Sequence, residues 1–482
     1  MAGVRELRVR TVAIWMVLSL AACSSPPRDP RKFNVLMIAL DACRADAIHA
    51  YGFERETTPE LDALARHPDT TVFRRHYVQA SWTKPSTASL FTGRYVSSHG
   101  VYLGVSLQTY RNAEGAEMTV ANHALSDDAE TLAERLAAHG FETFAIMMNH
   151  HLAPVFGLAQ GFGTVVPFQV KSGGDSVRAV RALDFVRAQR GRFFGYVHLH
   201  GCHFPFPYWR RDGEYMTRYA FPYDEAARRQ SGVDFIRPKV RQDIADGTLH
   251  LTPEDVRFLH LVYEAQLRRA DDVAIGPLLR GLRDLGVFDD TLIVVTADHG
   301  EELYDHAGYG HGHALWEELL HVPFIVKFPH GRRPAQLGPE VTHLSRAIDV
   351  LPSLLSLVEL PVDAGLQGAD IFGGVFPRLV IAEMAPVREV EGWAGHRRAF
   401  LDERYKVIET DGGPLLFDLA LDPGERTNVA SDHPEIVARL VTSGRAEIDR
   451  AAGGPPMARE VKEALSPDAA ANLRELGYLE GQ

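Results

Sequence analysis

The sequence predicts an α/β protein, in which a mixed, mainly parallel sheet carries helices on both faces and a smaller C-terminal α+β subdomain follows. Three observations carry this expectation. Short, nearly uninterrupted apolar runs recur along the chain, as strands covered on both sides require. Helical stretches separate these runs, which implies βαβ crossovers and parallel neighbours. After about residue 375 the texture changes to short runs with the spacing of antiparallel strands, and then to one helix.

The chain opens with Arg5, Arg8 and Arg10, an apolar run over residues 11–20, and Leu20-Ala21-Ala22-Cys23. The run is too short to span a bilayer and predicts a secretory leader over residues 1–22. The small residues before Cys23 resemble a bacterial lipobox, which implies acylation of Cys23 and a membrane partner held through the lipid anchor. The expected address is the bacterial cell envelope, at the outer membrane or periplasmic face. Residues 23–33, rich in Ser, Pro and charge, then form a tether.

A domain over residues 34–375 begins with a strand at 35–40. A helix over 128–138, stopped by Gly140, leads to a strand at 142–148 that closes on Asn149-His150-His151. The next strand covers 193–199. Residues 205–250 lack clear periodicity and read as an insertion that roofs a site, and a helical stretch runs over 253–285. Strands at 291–297 and 322–328 follow. The subdomain over 376–482 supplies short strands at 378–382, 397–401, 405–408 and 415–418 and a helix over 434–451.

At 482 residues the chain can bury large cores, and its net charge of −12 excludes a general nucleic-acid binder, which needs a basic surface to displace counterions. Beyond Cys23, expected to be acylated, only Cys43 and Cys202 remain, so this is no disulfide scaffold. The two thiols are open to pairing if the fold brings them together, or are plain buried thiols.

Two predicted strands end in acids. Leu40 is followed by Asp41, and Ala297 by Asp298-His299-Gly300-Glu301. Ligands gather at the carboxyl ends of strands in open α/β sheets, so these residues converge although far apart in sequence. Carboxylates with one imidazole suit one divalent cation, Ca, Mg, Mn or Zn. A third segment, Ala80-Ser81-Trp82-Thr83-Lys84-Pro85-Ser86-Thr87, opens a short helix that ends in Thr92-Gly93-Arg94.

Together these segments resemble the sulfatase family of the alkaline phosphatase superfamily, from about residue 34 to the C-terminus. The third segment is similar to the signature Cys/Ser-x-Pro-Ser-Arg. Asp41-Ala42-Cys43-Arg44-Ala45-Asp46 and Asp298-His299-Gly300-Glu301 are similar to its two metal-binding segments. Leu416-Phe417-Asp418-Leu419, Asp422-Pro423, Glu425 and Asn428 echo the end of its C-terminal domain, and so does the tail Leu473–Leu479. The resemblance implies an alkaline phosphatase-like fold and a metal-dependent hydrolase of sulfate or phosphate esters, its substrates.

The departures are as informative. Thr83 stands at the residue the family oxidises to formylglycine, and its β-methyl would turn that oxidation into a ketone, so no formylglycine is expected. Thr87 replaces the signature arginine, and Ala42 removes a second carboxylate. A threonine hydroxyl on a cation is still a competent nucleophile. Thr83 with Asp41, Asp298 and His299 resembles the one-metal site of the superfamily's phosphoryl-transferring members, which favours phosphoesters.

Further roles follow the same resemblance. His203, in His198-Leu-His200-Gly-Cys-His203, matches the histidine that contacts the ester. His311 and His313, in Gly-His-Gly-His, take the region of a sulfate-binding lysine, with His311 preferred as catalytic and His313 as substrate-binding. Arg44 and Lys84 either bind a substrate oxygen or form structural pairs, and both alternatives stand. The alternatives to hydrolysis are transfer of a phosphoryl group to an envelope lipid or glycan, and an inactive relative kept as an envelope binding protein.

Overall fold

The computed structural model describes residues 33–461, except 104–108, 112–116, 120–121, 148, 168–173, 205, 207–212, 221–232, 234, 236–238, 385–395 and 452–456. The leader, Cys23, nearly all of the tether and the tail motif therefore lie outside the described residues. Among those described, no helix is long and apolar enough to cross a membrane.

Eight strands form the main sheet: β1 (Asn34–Leu40), β2 (Thr70–Tyr77), β3 (Glu142–Ile146), β4 (Thr164–Val166), β5 (Phe193–Leu199), β6 (Thr291–Ala297), β7 (Phe324–Lys327) and β8 (Glu340–Arg346). Their order is β8-β2-β7-β6-β1-β5-β3-β4. β1 pairs in parallel with both β5 and β6, and all three are buried almost throughout, as their apolar runs require. β7 is antiparallel to both its neighbours. It returns from the same end of the sheet at which β6 stops, after a connection whose one helix is the short Glu317–Leu320.

Helix α1 (Thr83–Thr92) lies wholly buried and ends at Gly93, whose φ of +64° suits a residue without a β-carbon. The helix expected from residue 128 begins only at Leu132, because Thr131 and Glu134 form a capping box that fixes its start. The stretch expected over 253–285 is α2 (Pro253–Ala270), one wider π turn over Asp271–Ile275 and α3 (Gly276–Asp284). Pro277 has no N–H to continue a regular ladder across that junction.

The C-terminal part holds a separate antiparallel meander of β9 (Val380–Glu383), β10 (His396–Leu401), β11 (Tyr405–Thr410) and β12 (Gly413–Asp418). Helix α4 (Pro434–Ala451) covers it with Leu440 and Ile448 against Phe400, Val407 and Leu416. Gly444 permits the contact, since a β-carbon there would sit 2.0 Å from the Phe400 ring.

Candidate active site

The strand register brings the site together. Leu40 pairs with Leu199 on one side and Ala297 on the other, so Asp41, His200 and Asp298 are the next residues of three adjacent parallel strands. Thr83 enters as the first residue of α1, after an extended Trp82 and with no side-chain cap. The unpaired amides and dipole of that helix end favour negative charge beside it.

Six side chains meet there. Thr83 Oγ1 lies 3.3 Å from His299 Nε2 and accepts from Asn149 Nδ2 at 3.1 Å. The same amide of Asn149 donates to Asp41 Oδ2 at 3.0 Å, which ties hydroxyl and carboxylate together. Asp298 Oδ1 accepts from the backbone N–H groups of Ala42 and His299, leaving Oδ2 at 3.6 Å from His299 Nε2 and 3.5 Å from His198 Nε2. Ala42 reaches its position with a left-handed φ of +59°, a conformation that costs a non-glycine residue about 1 kcal/mol or more.

These residues fit a cation on three counts. Asp41 Oδ1 is buried with no hydrogen-bond donor, although an orphaned carboxylate oxygen is costly. Ligand atoms of Asp41, Asp298 and His299 all lie within 4.8 Å of one another. The imidazoles are also turned the right way. His299 Nδ1 faces Gly300 O at 2.7 Å, His203 Nδ1 faces Phe204 O and His311 Nδ1 faces Glu301 Oε1 at 2.7 Å. The two carbonyls can only accept, so Nδ1 of His299 and of His203 carries a proton and Nε2 is left for the site, and an ionised Glu301 sets His311 the same way although burial raises that carboxyl to about 7.

Electrostatics agree. Burial pushes the Asp41 carboxyl up, and the Asp298 charge adds to the push. Burial also opposes ionisation of Asp298, but His299 and His198 hold it well below the usual carboxylate range. Burial alone would depress His299; Asp298 and Asp41 outweigh it and raise the imidazole to about 9. A site that holds two carboxylates against an imidazolium is one a divalent cation can occupy by displacing the proton.

His203 and His311 join this centre, with ring centroids 4.6 Å apart and His311 4.3 Å from His299. Burial, reinforced by neighbouring imidazoles, holds both below the ordinary imidazole range. The three expected substrate ligands have other partners. Arg44 spreads its fork over Asp46 and Asp305, so the geometry gives the structural pair. Lys84 donates to the carbonyls of Leu103 and His123 and lies over the Phe156 ring. His313 Nε2 is bonded to Glu302 Oε2 at 2.6 Å. Cys43 and Cys202 are both free and buried. Of the residues 205–250 expected to roof the site, the helix Lys239–Ala245 supplies Arg241, whose Nη2 donates to His311 O at 2.8 Å.

Asn149, whose segment the sequence placed at a strand end within reach of the pocket but with no role, and His198, which was given none, both belong to the site. Their signal was weak but present: Asn149 follows an apolar run, and His198 interrupts one.

The model of the sulfatase family matches residues 33–360. The chain belongs to the sulfatase family. Among sulfatase relatives, the ulvan-active sulfatase of Formosa agariphila is 24% identical over 87% of this chain and 83% of its own. Human N-sulphoglucosamine sulphohydrolase is 26% identical, over 79% of this chain and 70% of its own. The solved phosphonate monoester hydrolase of Agrobacterium radiobacter superposes with a TM-score of 0.65, covering 86% of this chain and 96% of its own at 21% identity. This sulfatase-family chain thus has the alkaline phosphatase-like fold and is a hydrolase of that family.

Proposed function

We propose that this hydrolase cleaves phosphate or sulfate esters, phosphoesters by preference, with Thr83 as nucleophile and without formylglycine. One observation carries the proposal. The Thr83 hydroxyl sits at the start of a buried helix, within 3.3 Å of His299 Nε2 and 3.1 Å of Asn149 Nδ2, beside the two acids that converge with His299. The names of the relatives span sulfates and phosphonate monoesters, so either ester class is compatible with the fold.

Asp41, Asp298, His299 and Thr83 would hold one divalent cation, which lowers the hydroxyl pKa and neutralises charge on the transferred group. Thr83 attacks in line while the start of α1 stabilises the negative charge that develops. Asn149 holds the attacking oxygen, and the Nε2 atoms of His203 and His311 serve the transferred group and the leaving oxygen. Water or another alcohol then releases the group from Thr83. An enzyme anchored through Cys23 in the envelope would meet exported esters, lipid head groups or glycans.

The test compares aryl sulfate, phosphate monoester and phosphate diester turnover by purified protein across Ca, Mg, Mn and Zn, with Thr83→Ala as control. Phosphoester turnover should dominate and fall at least about 10³-fold in Thr83→Ala, since the covalent step is lost. Equal turnover by parent and variant would remove Thr83 from the chemistry.

A further inference from the structure

We propose that Glu301 is the positioning residue for both substrate histidines and makes His311 the group that exchanges a proton with the ester. This rests on the proposed placement of His311 at the transferred group. Glu301 is fully buried, four residues past the end of β6, and each of its oxygens has a separate task. Oε1 faces His311 Nδ1 at 2.7 Å, and Oε2 accepts the backbone N–H of Phe204, the residue after His203, at 2.9 Å.

One carboxylate therefore joins the ends of β5 and β6 to the loop that returns from them. The local fold explains the reach. Glu302–Leu303 and Tyr309–Gly310 pair as an antiparallel ribbon with Glu302 opposite Gly310, which sets Glu301 across from His311. Arg241 fixes the main chain on the other side through His311 O.

The chemical consequence is directional. With Nδ1 committed to Glu301, the neutral ring offers only the Nε2 lone pair to the site, between the rings of His203 and His299. Once protonated there, the ring gives that proton to the departing ester oxygen as the bond to that oxygen breaks, and the same Nε2 takes a proton back from the water that releases the group from Thr83. The proton ends on the alcohol released, and nothing is oxidised or reduced. This is the orienting carboxylate's part in an acid–base dyad, and it has a measurable size of about 10²-fold or more.

The experiment reads the ring and the rate separately. In ¹⁵N-histidine spectra of the full chain, with His311→Asn assigning the signal, His311 should carry its proton on Nδ1, and Glu301→Gln should lose that single tautomer. Glu301→Gln should lower kcat about 10²-fold with KM within about threefold and bound metal unchanged, Glu301→Asp should recover part of the rate, and adding Glu301→Gln to His311→Asn should cost little more. A His311 proton on Nε2 in the parent, or a Glu301→Gln variant within about threefold of parental kcat, overturns the proposal. If Glu301→Gln fails to fold, the parent spectrum and the Glu301→Asp rate decide. If no ester is turned over, the catalytic part of the proposal fails with the function, and the spectra still decide whether Glu301 sets the ring.

Discussion

Asn149 holds the two groups whose relative position the reaction needs most. Its single amide nitrogen donates to Thr83 Oγ1 and to Asp41 Oδ2, so the hydroxyl we propose as nucleophile is tied to a carboxylate we propose as metal ligand. Asn149→Ala should lower kcat by about 10²-fold while Thr83 stays in place, because loss of alignment of about an ångström is enough for that effect. Stopped-flow or steady-state rates at saturating substrate would check it, and a kcat within about threefold of the parent would discard the role. At this scale the sequence pointed to the acids and imidazole that the fold brings together. Asp41, Asp298 and His299 interrupt or follow apolar runs, and polar residues at strand ends have few other reasons to be there. Glu301 and Asn149 were less legible, because their meaning depends on which atom each oxygen or nitrogen faces. Arg44 and Lys84 show the converse: a cation near a motif in sequence took a carboxylate pair and two carbonyls instead of substrate.

Strands written as apolar runs were read well from sequence, and the charge-bearing strands β2 and β8 were not. β5 and β6 have the bounds their apolar runs give, and α4 begins and ends where expected. β2 and β8 were not anticipated, since Arg74 and Arg75 break the apolar run of one and Glu340–Arg346, at the sheet edge, is largely polar. β8 nonetheless ends in a strong fastening. Arg346 is buried and binds Asp349 through both Nε and Nη2, with Tyr95 Oη against its other arm. The pair holds the guanidinium above its ordinary value although burial opposes the charge. Removing one partner leaves the other charge buried, so Arg346→Ala should cost about 3–5 kcal/mol in urea unfolding. A loss under about 1 kcal/mol would show that the carboxylate finds water or another donor.

The whole molecule fastens its C-terminal sheet onto the loop that carries His311. Lys406 of β11 is buried against Glu425 at 2.9 Å and Glu317 at 3.4 Å, and Glu425 Oε2 accepts the Glu317 backbone N–H at 2.7 Å. Trp316, next in the chain, stacks on His306 and meets Phe417 edge-on. Loading with metal should also be felt globally, and with opposite pH trends. His299 is raised from 6.5 to about 9, so in chelator its contribution to stability is complete below pH 6.5 and is lost as pH rises through about 9. Cation binding must displace that proton and therefore strengthens over the same interval. Melting in EDTA and in saturating Mn should diverge most near pH 9, and parallel curves would place the cation away from His299. The register of the central strands has a last consequence, for the order of events in the cell. Ala42 and Asp298 meet across 256 positions, and no short stretch of the unfolded chain gathers the donors early. Non-local closure of this kind is slow and must precede loading. The ion is therefore chosen by a finished cavity from whatever the compartment offers at that moment, so the metal found in the protein will depend on where it folds.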